Sequence, residues 1–231
     1  DENDPDDSEV GIDPEMLGHI FENLLEDNKD KGAFYTPKEI VQYMSRQSII
    51  QYLKTYITEE QYASAIDMLV NTYQVEPILQ NKEIASRLTT LLQNVKVCDP
   101  AIGSGAFPMG VMNVLFHTRH TLHAFADKYG SWNAAQVKRE IIQNNIFGVD
   151  IEQGAVDIAR LRFWLALVVD ADSPQPLPNL DYKITCGNSL LSRYAIDAPI
   201  ENVFVEYNKD KPEEDKMSFA KYKQLVNDFT N

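Results

Sequence analysis

The sequence predicts an α/β protein in which helices cover both faces of an open parallel β-sheet, with an all-helical region before it. Short β-branched runs alternate with long helical patterns between residues 95 and 192, an order that is typical of parallel strands joined by crossover helices. Apolar residues at helical spacing dominate the sequence before residue 95. A 231-residue chain that is 44% hydrophobic is long enough to bury a core of its own.

Four helices are predicted in the N-terminal region, with approximate spans of 14–26, 37–56, 59–73 and 81–93. Asp13 and Thr36 are the expected N-caps of the first two helices. Each precedes a proline at the first helical position and offers a side-chain oxygen to the free backbone N–H groups.

Three strand-like runs predict the parallel sheet. The expected strands cover about 95–99, 146–150 and 182–185, and the expected helices between and after them cover 106–126, 134–143 and 153–169. The predicted division of the chain is an acidic disordered tail (1–12), a helical region (13–94), the sheet-containing core (95–192) and an irregular extension (193–231) with one amphipathic segment (218–229). Because the sheet looks unfinished, we expect the chain to be a portion of a longer protein.

The charge of the chain restricts its partners. A formal net charge of −14 predicts weak DNA binding or none by this chain alone, because an acidic surface repels a phosphate backbone. No apolar run is long enough to predict a membrane span, and no signal-peptide pattern begins the sequence. The expected location is therefore cytoplasmic, with Cys98 and Cys186 reduced.

The turns that follow the three predicted strands carry the residues of chemical interest: DPAIGSGAF (99–107), GVDIE (148–152) and GNSLL (187–191). Ligands of open parallel sheets bind where such turns gather, beyond the carboxyl ends of the strands. Gly103 and Gly105 allow the backbone to approach a ligand, and they lead into a helix whose free N–H groups face the same place.

Polar residues in these turns suit a ligand with an amino-acid end, a ribose and a purine. Asp99 is placed to accept hydrogen bonds from an ammonium group, Asp150 from ribose hydroxyls, and Asn188 can donate and accept at a purine edge. A dinucleotide is disfavoured, because its G-x-G-x-x-G fingerprint needs a glycine where Pro108 stands and an acid about 20 residues further on. Simpler interpretations stay open: a tight turn for the glycines, a helix cap for Asp150 and a turn asparagine for Asn188.

These motifs resemble those of the class I S-adenosylmethionine-dependent DNA amino-methyltransferases, especially the single-chain enzymes of restriction-modification systems. DPAIGSGAF resembles motif I, GVDIE motif II and GNSLL motif III, and the upstream GAFYTPKEIV (32–41) resembles motif X. This motif order is similar to the gamma arrangement. The resemblance covers about residues 14–191 and implies a Rossmann-like methyltransferase core that binds S-adenosylmethionine. The cofactor-binding residues that it implies are Tyr35, Thr36, Pro37, Asp99, Pro100, Ala101, Gly103, Gly105, Asp150, Ile151 and Asn188.

The resemblance also implies methyl transfer to an exocyclic amino group of a flipped DNA base, more often adenine N6 than cytosine N4. The family's catalytic tetrapeptide, Asp, Asn or Ser followed by two prolines and an aromatic residue, is not found in the sequence. We therefore expect a cofactor-binding portion that is inactive alone and has no catalytic residue, with DNA contacted through other segments of the parent protein. No metal site is expected, because His117, His120 and His123 lack acidic or cysteine partners in their helix. Two rival interpretations remain open: an RNA or protein amino-methyltransferase, and a non-catalytic assembly module.

Overall fold

The computed structural model describes residues 36–126, 131–168, 180–191, 199 and 201–230. The predicted acidic tail, the first predicted helix with its cap Asp13, and Tyr35 lie outside these residues. Among the described helices, none combines the length and the apolar character needed to cross a bilayer.

The N-terminal region is helical, as predicted. Its helices are α1 (Lys38–Tyr56), α2 (Ala63–Thr72) and α3 (Lys82–Asn94), with single 3₁₀ turns at Glu60–Tyr62 and Pro77–Leu79. The predicted Thr36 cap of α1 is wrong. Pro37 occupies the N-cap position with φ −54° and ψ 139°, no side chain caps the helix, and α1 begins one residue later than expected.

A parallel three-stranded sheet follows, in the spatial order β1-β2-β3. Its strands are β1 (Val97–Asp99), β2 (Ile146–Asp150) and β3 (Ile184–Cys186), and its helices are α4 (Ala106–Ala126), α5 (Ala134–Asn144) and α6 (Gln153–Val168). The parallel pairing sets Asp99 beside Gly148 and Asp150 beside Cys186. All three strand ends therefore meet at one edge of the sheet.

The two faces of this sheet differ in burial. On one face, Ile146 and Ile184 are fully buried and belong to a continuous core with side chains from all six helices α1 to α6. On the other face, Phe147 and Val149 are half-buried and Cys98 is exposed. The prediction that helices cover both faces is thus confirmed for one face only, within the part of the chain that the structure describes.

Contacts at two places fix the position of helix α1. The Tyr52 hydroxyl donates to the Leu91 carbonyl at 3.3 Å, so the C-terminal half of α1 lies near the end of α3, just before β1 begins. One turn from the start of α1, Val41 packs closely on α4: a Cβ added to Gly110 would lie 2.5 Å from Val41 Cγ1. The start of α1 consequently lies beside the first turns of α4, the helix that follows β1.

The predicted irregular extension contains two helices, α7 (Glu201–Tyr207) and α8 (Phe219–Thr230), and a 3₁₀ turn at Glu213–Asp215. The amphipathic segment is confirmed as α8, whereas the prediction of irregular backbone over 201–207 is wrong. Side-chain packing explains the difference, because the Phe204 ring lies 6.0 Å from Phe219 and 5.8 Å from Tyr222. These contacts stabilise a seven-residue helix whose length alone would not.

Candidate functional site

The loop between β1 and α4 reverses the chain through two left-handed glycines. Gly103 has φ +52° and Gly105 has φ +87°, a region that residues with a Cβ enter only at a cost. Among the described residues, no atom lies within 4 Å of a Cβ placed on Gly103, so the loop presents open backbone at that point. A Cβ on Gly105 would lie 3.2 Å from the Ala159 Cβ. Helix α6 therefore passes directly beneath the loop.

One backbone hydrogen bond joins strand β2 to the same loop, and a buried side chain of the loop packs on the strand. The Ile102 N–H donates to the Val149 carbonyl at 3.0 Å. The Ile102 side chain is buried, and a Cβ on Gly148 would lie only 2.2 Å from Ile102 Cδ1. Gly148 thus leaves space within β2 that Ile102 fills. A glycine inside a strand is the sequence signal for such a close approach, although Gly148 was not among the predicted site residues.

Asp150 joins the end of β2 to the glycine loop. Its Oδ2 accepts from the Gly103 N–H at 2.8 Å, and its Oδ1 accepts from the Glu152 N–H at 2.9 Å. The carboxylate therefore stabilises the turn into α6, as the capping alternative expected, and it also tethers the loop. Each carboxylate oxygen can accept a second hydrogen bond, so the ribose contact stays a prediction.

Asp99 lies at the end of β1, near Asp150. Its Oδ1 accepts from the Ala101 N–H at 3.0 Å. Burial raises the pKa of Asp99 above its ordinary value and the negative charge of Asp150 adds to the increase, while the Ala101 N–H opposes it. Within the described residues, no hydrogen bond reaches Asp99 Oδ2. A bound cation at this oxygen would offset both the burial and the repulsion.

The turn after β3 is exposed. The Asn188 Oδ1 accepts from the Leu190 N–H at 3.0 Å, which is the turn-stabilising role that the sequence left open. The Ser189 Oγ donates to the Pro100 carbonyl at 2.8 Å and so connects this turn to the turn after β1. Leu190 is 91% exposed and Ile151, just after β2, is 71% exposed. Apolar side chains thus project beside the polar groups of the site.

The structure brings the three predicted strand-end turns together. Hydrogen bonds connect the turn after β1 to the turn after β2 and to the turn after β3, and the parallel register keeps all three at one edge. Thr36 is half-buried and Pro37 is exposed at the start of α1, which packs beside the first turns of α4. Tyr35 lies outside the described residues.

A pocket of about 540 Å³ lies between α1 and β1 and extends to the strand end at Asp99 and Pro100. Its apolar walls include Met44, Ile49 and Phe107. This volume falls in the range of small-molecule sites, and the pocket adjoins the carboxylate of Asp99.

Arg162, which was not predicted as a site residue, contacts Ser104 of the glycine loop from below. Arg162 on α6 is only 5% exposed. Its Nη1 donates to the Ser104 carbonyl at 3.0 Å and lies 3.3 Å from the Ser104 Oγ. The available signal was an arginine inside the apolar run LRFWLALVV, because a buried guanidinium needs hydrogen-bond acceptors. Phe163, the next residue, is fully buried.

The histidines of α4 pack among aromatic rings. The Trp132 ring lies 4.9 Å from that of His120 and 5.3 Å from that of His123. Burial lowers the pKa of His117, with the charges of Lys138 and His120 acting in the same direction. In the described ranges, no three His, Cys, Asp or Glu side chains are grouped to hold a metal ion. Both cysteines are free thiols.

Comparison with known proteins gives a consistent result. Residues 144–230 match the family model of the Eco57I restriction-modification methylase. A protein of Methanocaldococcus jannaschii, provisionally named a type II restriction enzyme and methyltransferase, is 30% identical over 218 residues, which is 86% of this chain and 18% of that protein. The adenine-specific methyltransferase BrxX of Escherichia coli O9:H4 is 25% identical over 166 residues, which is 63% of this chain and 13% of that protein. The predicted resemblance to restriction-modification methyltransferases is confirmed, and the chain spans less than a fifth of either relative.

Proposed function

We propose, from this likeness to the restriction-modification methyltransferases, that the chain is the S-adenosylmethionine-binding part of a DNA adenine-N6 methyltransferase. One observation carries the proposal: hydrogen bonds from Gly103 to Asp150 and from Ser189 to Pro100 join all three strand-end turns into one site. Such turns are where open parallel sheets bind their ligands.

The charge of the site suits a cationic ligand. S-adenosylmethionine carries a sulfonium and an ammonium group, and the turns offer the carboxylates of Asp99 and Asp150. Asp99 Oδ2 lacks a hydrogen-bond partner among the described residues, and its burial makes an uncompensated charge costly. We propose that the ammonium group of the cofactor binds this oxygen. A ligand rich in phosphate would instead meet two like charges.

The nucleoside part of the cofactor has matching surfaces. The open backbone at Gly103 allows close approach of the ligand, and the remaining lone pairs of Asp150 suit ribose hydroxyls. Exposed side chains of Ile151 and Leu190 offer apolar contact for the faces of a purine. The Asn188 amide offers hydrogen bonds to the purine edge.

When bound, S-adenosylmethionine supplies a methyl group that is electrophilic because it is attached to a positively charged sulfur. The residues of this chain then contribute binding and orientation, which reduce the entropic part of the barrier. We propose that other segments of a longer enzyme hold the base and the DNA. This chain alone would be inactive and, with its net charge of −14, a weak DNA binder.

Isothermal titration calorimetry with S-adenosylmethionine tests the proposal. We expect wild type to bind and Asp99→Asn to bind about tenfold to a hundredfold more weakly, because a hydrogen bond to a charged group contributes about 1.5–3 kcal/mol. Asp157→Asn is the matched control, since Asp157 is exposed on α6 and accepts from Gln153 at 2.8 Å. No heat from wild type at millimolar cofactor would contradict the proposal. Equal binding by Asp99→Asn would contradict the ammonium site.

A thermal-stability measurement separates lost contacts from misfolding. Because burial and the charge of Asp150 raise the pKa of Asp99, its ionised form destabilises the free protein above that raised pKa. We therefore expect Asp99→Asn to raise the Tm at pH 7. This advantage should disappear as the pH falls through the raised pKa toward the ordinary value of 3.8. A lower Tm of Asp99→Asn at pH 7 would indicate that its weaker binding results from damaged folding.

A further inference from the structure

We infer that Arg162 is a positioning residue for the cofactor: it binds the Ser104 carbonyl from beneath and holds the glycine loop in its receptive shape. The inference rests on the proposed function, because it assumes that this loop receives S-adenosylmethionine. Arg162 is buried behind the loop, and we assign it no contact with the cofactor.

The loop needs such support because of its composition. Ser104 lies between two left-handed glycines, Gly103 and Gly105, and a glycine backbone has more conformational freedom to lose than any other. On the N-terminal side, β2 fixes the loop through Ile102 and through the bond from the Gly103 N–H to Asp150. The Ser104 carbonyl lies beyond these bonds, and the Arg162 guanidinium fixes it.

Two residues on one face of helix α6 make this contact possible. Ala159 and Arg162 are three residues apart, so they lie on the same face of α6. The small Ala159 side chain allows the helix to approach Gly105, where an added Cβ would lie 3.2 Å away. Arg162 lies one turn further along α6. Its Nη1 reaches the carbonyl of Ser104, the residue before Gly105, at 3.0 Å.

Loosening the loop should weaken cofactor binding without removing a cofactor contact. The apparent dissociation constant equals the intrinsic constant divided by the fraction of molecules whose loop has the competent shape. If that fraction falls to about a tenth, the apparent dissociation constant rises about tenfold.

Arg160 provides a matched control on the same helix. Its Nε and Nη2 donate to the Ile184 carbonyl at 3.0 and 2.6 Å, and its Nη1 lies 3.3 Å from Asp181 Oδ1. It is thus a second arginine that binds a backbone carbonyl, but it supports β3 and not the glycine loop. Arg160→Met should affect stability while leaving the loop in place.

The experiment compares Arg162→Met, Arg162→Lys and Arg160→Met with wild type, all as the full chain. Calorimetric titration with S-adenosylmethionine is carried out well below the Tm of each variant, and the amide signals of Gly103 and Gly105 are recorded by NMR without ligand. We expect Arg162→Met to raise Kd about tenfold or more. Arg162→Lys should give an intermediate Kd, because its ammonium group can still donate a hydrogen bond to the loop. Arg160→Met should stay within about twofold of wild type. The two glycine signals should shift or broaden in the Arg162 variants alone.

The outcomes separate the inference from the proposed function. If wild type binds and Arg162→Met binds as Arg160→Met does, the inference is overturned and the proposed function stands. If wild type does not bind, the proposed function fails and the cofactor role of Arg162 fails with it. Should Arg162→Met not fold, Arg162→Lys decides: wild-type affinity with unchanged glycine signals overturns the inference, and an intermediate Kd with shifted signals supports it.

Discussion

The turns after β1 and β3 occupy equivalent positions at the ends of parallel strands, yet the first is held from beneath and the second is exposed. Beneath the first turn, Ile102 fills the space left by Gly148, and Arg162 binds the Ser104 carbonyl. In the second turn, Leu190 is 91% exposed. The bond from Ser189 to Pro100 connects this turn to its neighbour.

This difference shows which contacts fix the backbone conformation of each turn. The first turn depends on partners far away in sequence, with separations of 47 and 58 residues for its bonds to Asp150 and Arg162. The second turn depends largely on a local bond between Asn188 and Leu190. A ligand would therefore meet a preformed surface at the first turn and an adaptable one at the second, and preorganisation reduces the cost of binding.

Two glycines, Gly148 within β2 and Gly187 just after β3, test this contrast most strongly. We expect Gly148→Ala to lower the free energy of unfolding by about 1–3 kcal/mol, the usual cost of overpacking, because the new Cβ would lie 2.2 Å from Ile102 Cδ1. Gly187→Ala should change it by no more than about 0.5 kcal/mol, since the nearest described atom to its Cβ would be Val149 Cγ1, at 3.8 Å. Urea denaturation of both variants measures the difference. Equal effects would contradict the idea that only the first turn is tightly supported.

A second pair isolates backbone strain from packing. A Cβ on Gly103 or on Gly154 would have no atom of the described residues within 4 Å, but of the two only Gly103 is left-handed. Gly103→Ala should therefore destabilise the protein by about 1–2 kcal/mol. Gly154→Ala, within helix α6, should stabilise it by about 0.5–1 kcal/mol. Opposite shifts in Tm are the expected result, and shifts of the same sign would argue that the loop can relax.

The smallest expected effect concerns the link between the two turns. Ser189→Ala removes the hydroxyl that donates to the Pro100 carbonyl at 2.8 Å. Because Ser189 is exposed, we expect a loss near the lower end of the usual range, about 0.5 kcal/mol. Hydrogen exchange should become faster at Leu190 and Leu191 and stay unchanged at Gly105. Faster exchange at Gly105 would show that the first turn also depends on this bond.

Element positions followed closely from local sequence where periodicity and turn residues agree. Helix α4 and strand β2 have the predicted bounds, Ala106–Ala126 and Ile146–Asp150, because glycines or helix-capping residues flank clear apolar patterns. The start of α1 was misjudged by one residue, since Thr36 does not cap it. Helix α7 was missed because aromatic contacts, and not periodicity, stabilise it.

In the candidate site, too, some residues could be identified from the local sequence, whereas their contacts could not. Gly103, Gly105, Asp99 and Asp150 were recognisable because backbone freedom and charge at a strand end are properties of the residue types themselves. The partners of these residues were not recognisable. Nothing local to Arg162 indicates that it binds Ser104, and nothing local to Asp150 indicates that it accepts from Gly103.

By itself, the sequence determined the helical N-terminal region, the alternation of strands and helices and the identity of the turn residues, because these depend on local spacing and backbone preference. Only the tertiary structure decided which side chains support the glycine loop and which face of the sheet is covered. Those outcomes depend on contacts between segments that are far apart in the chain, and such contacts exist only once the segments have packed together.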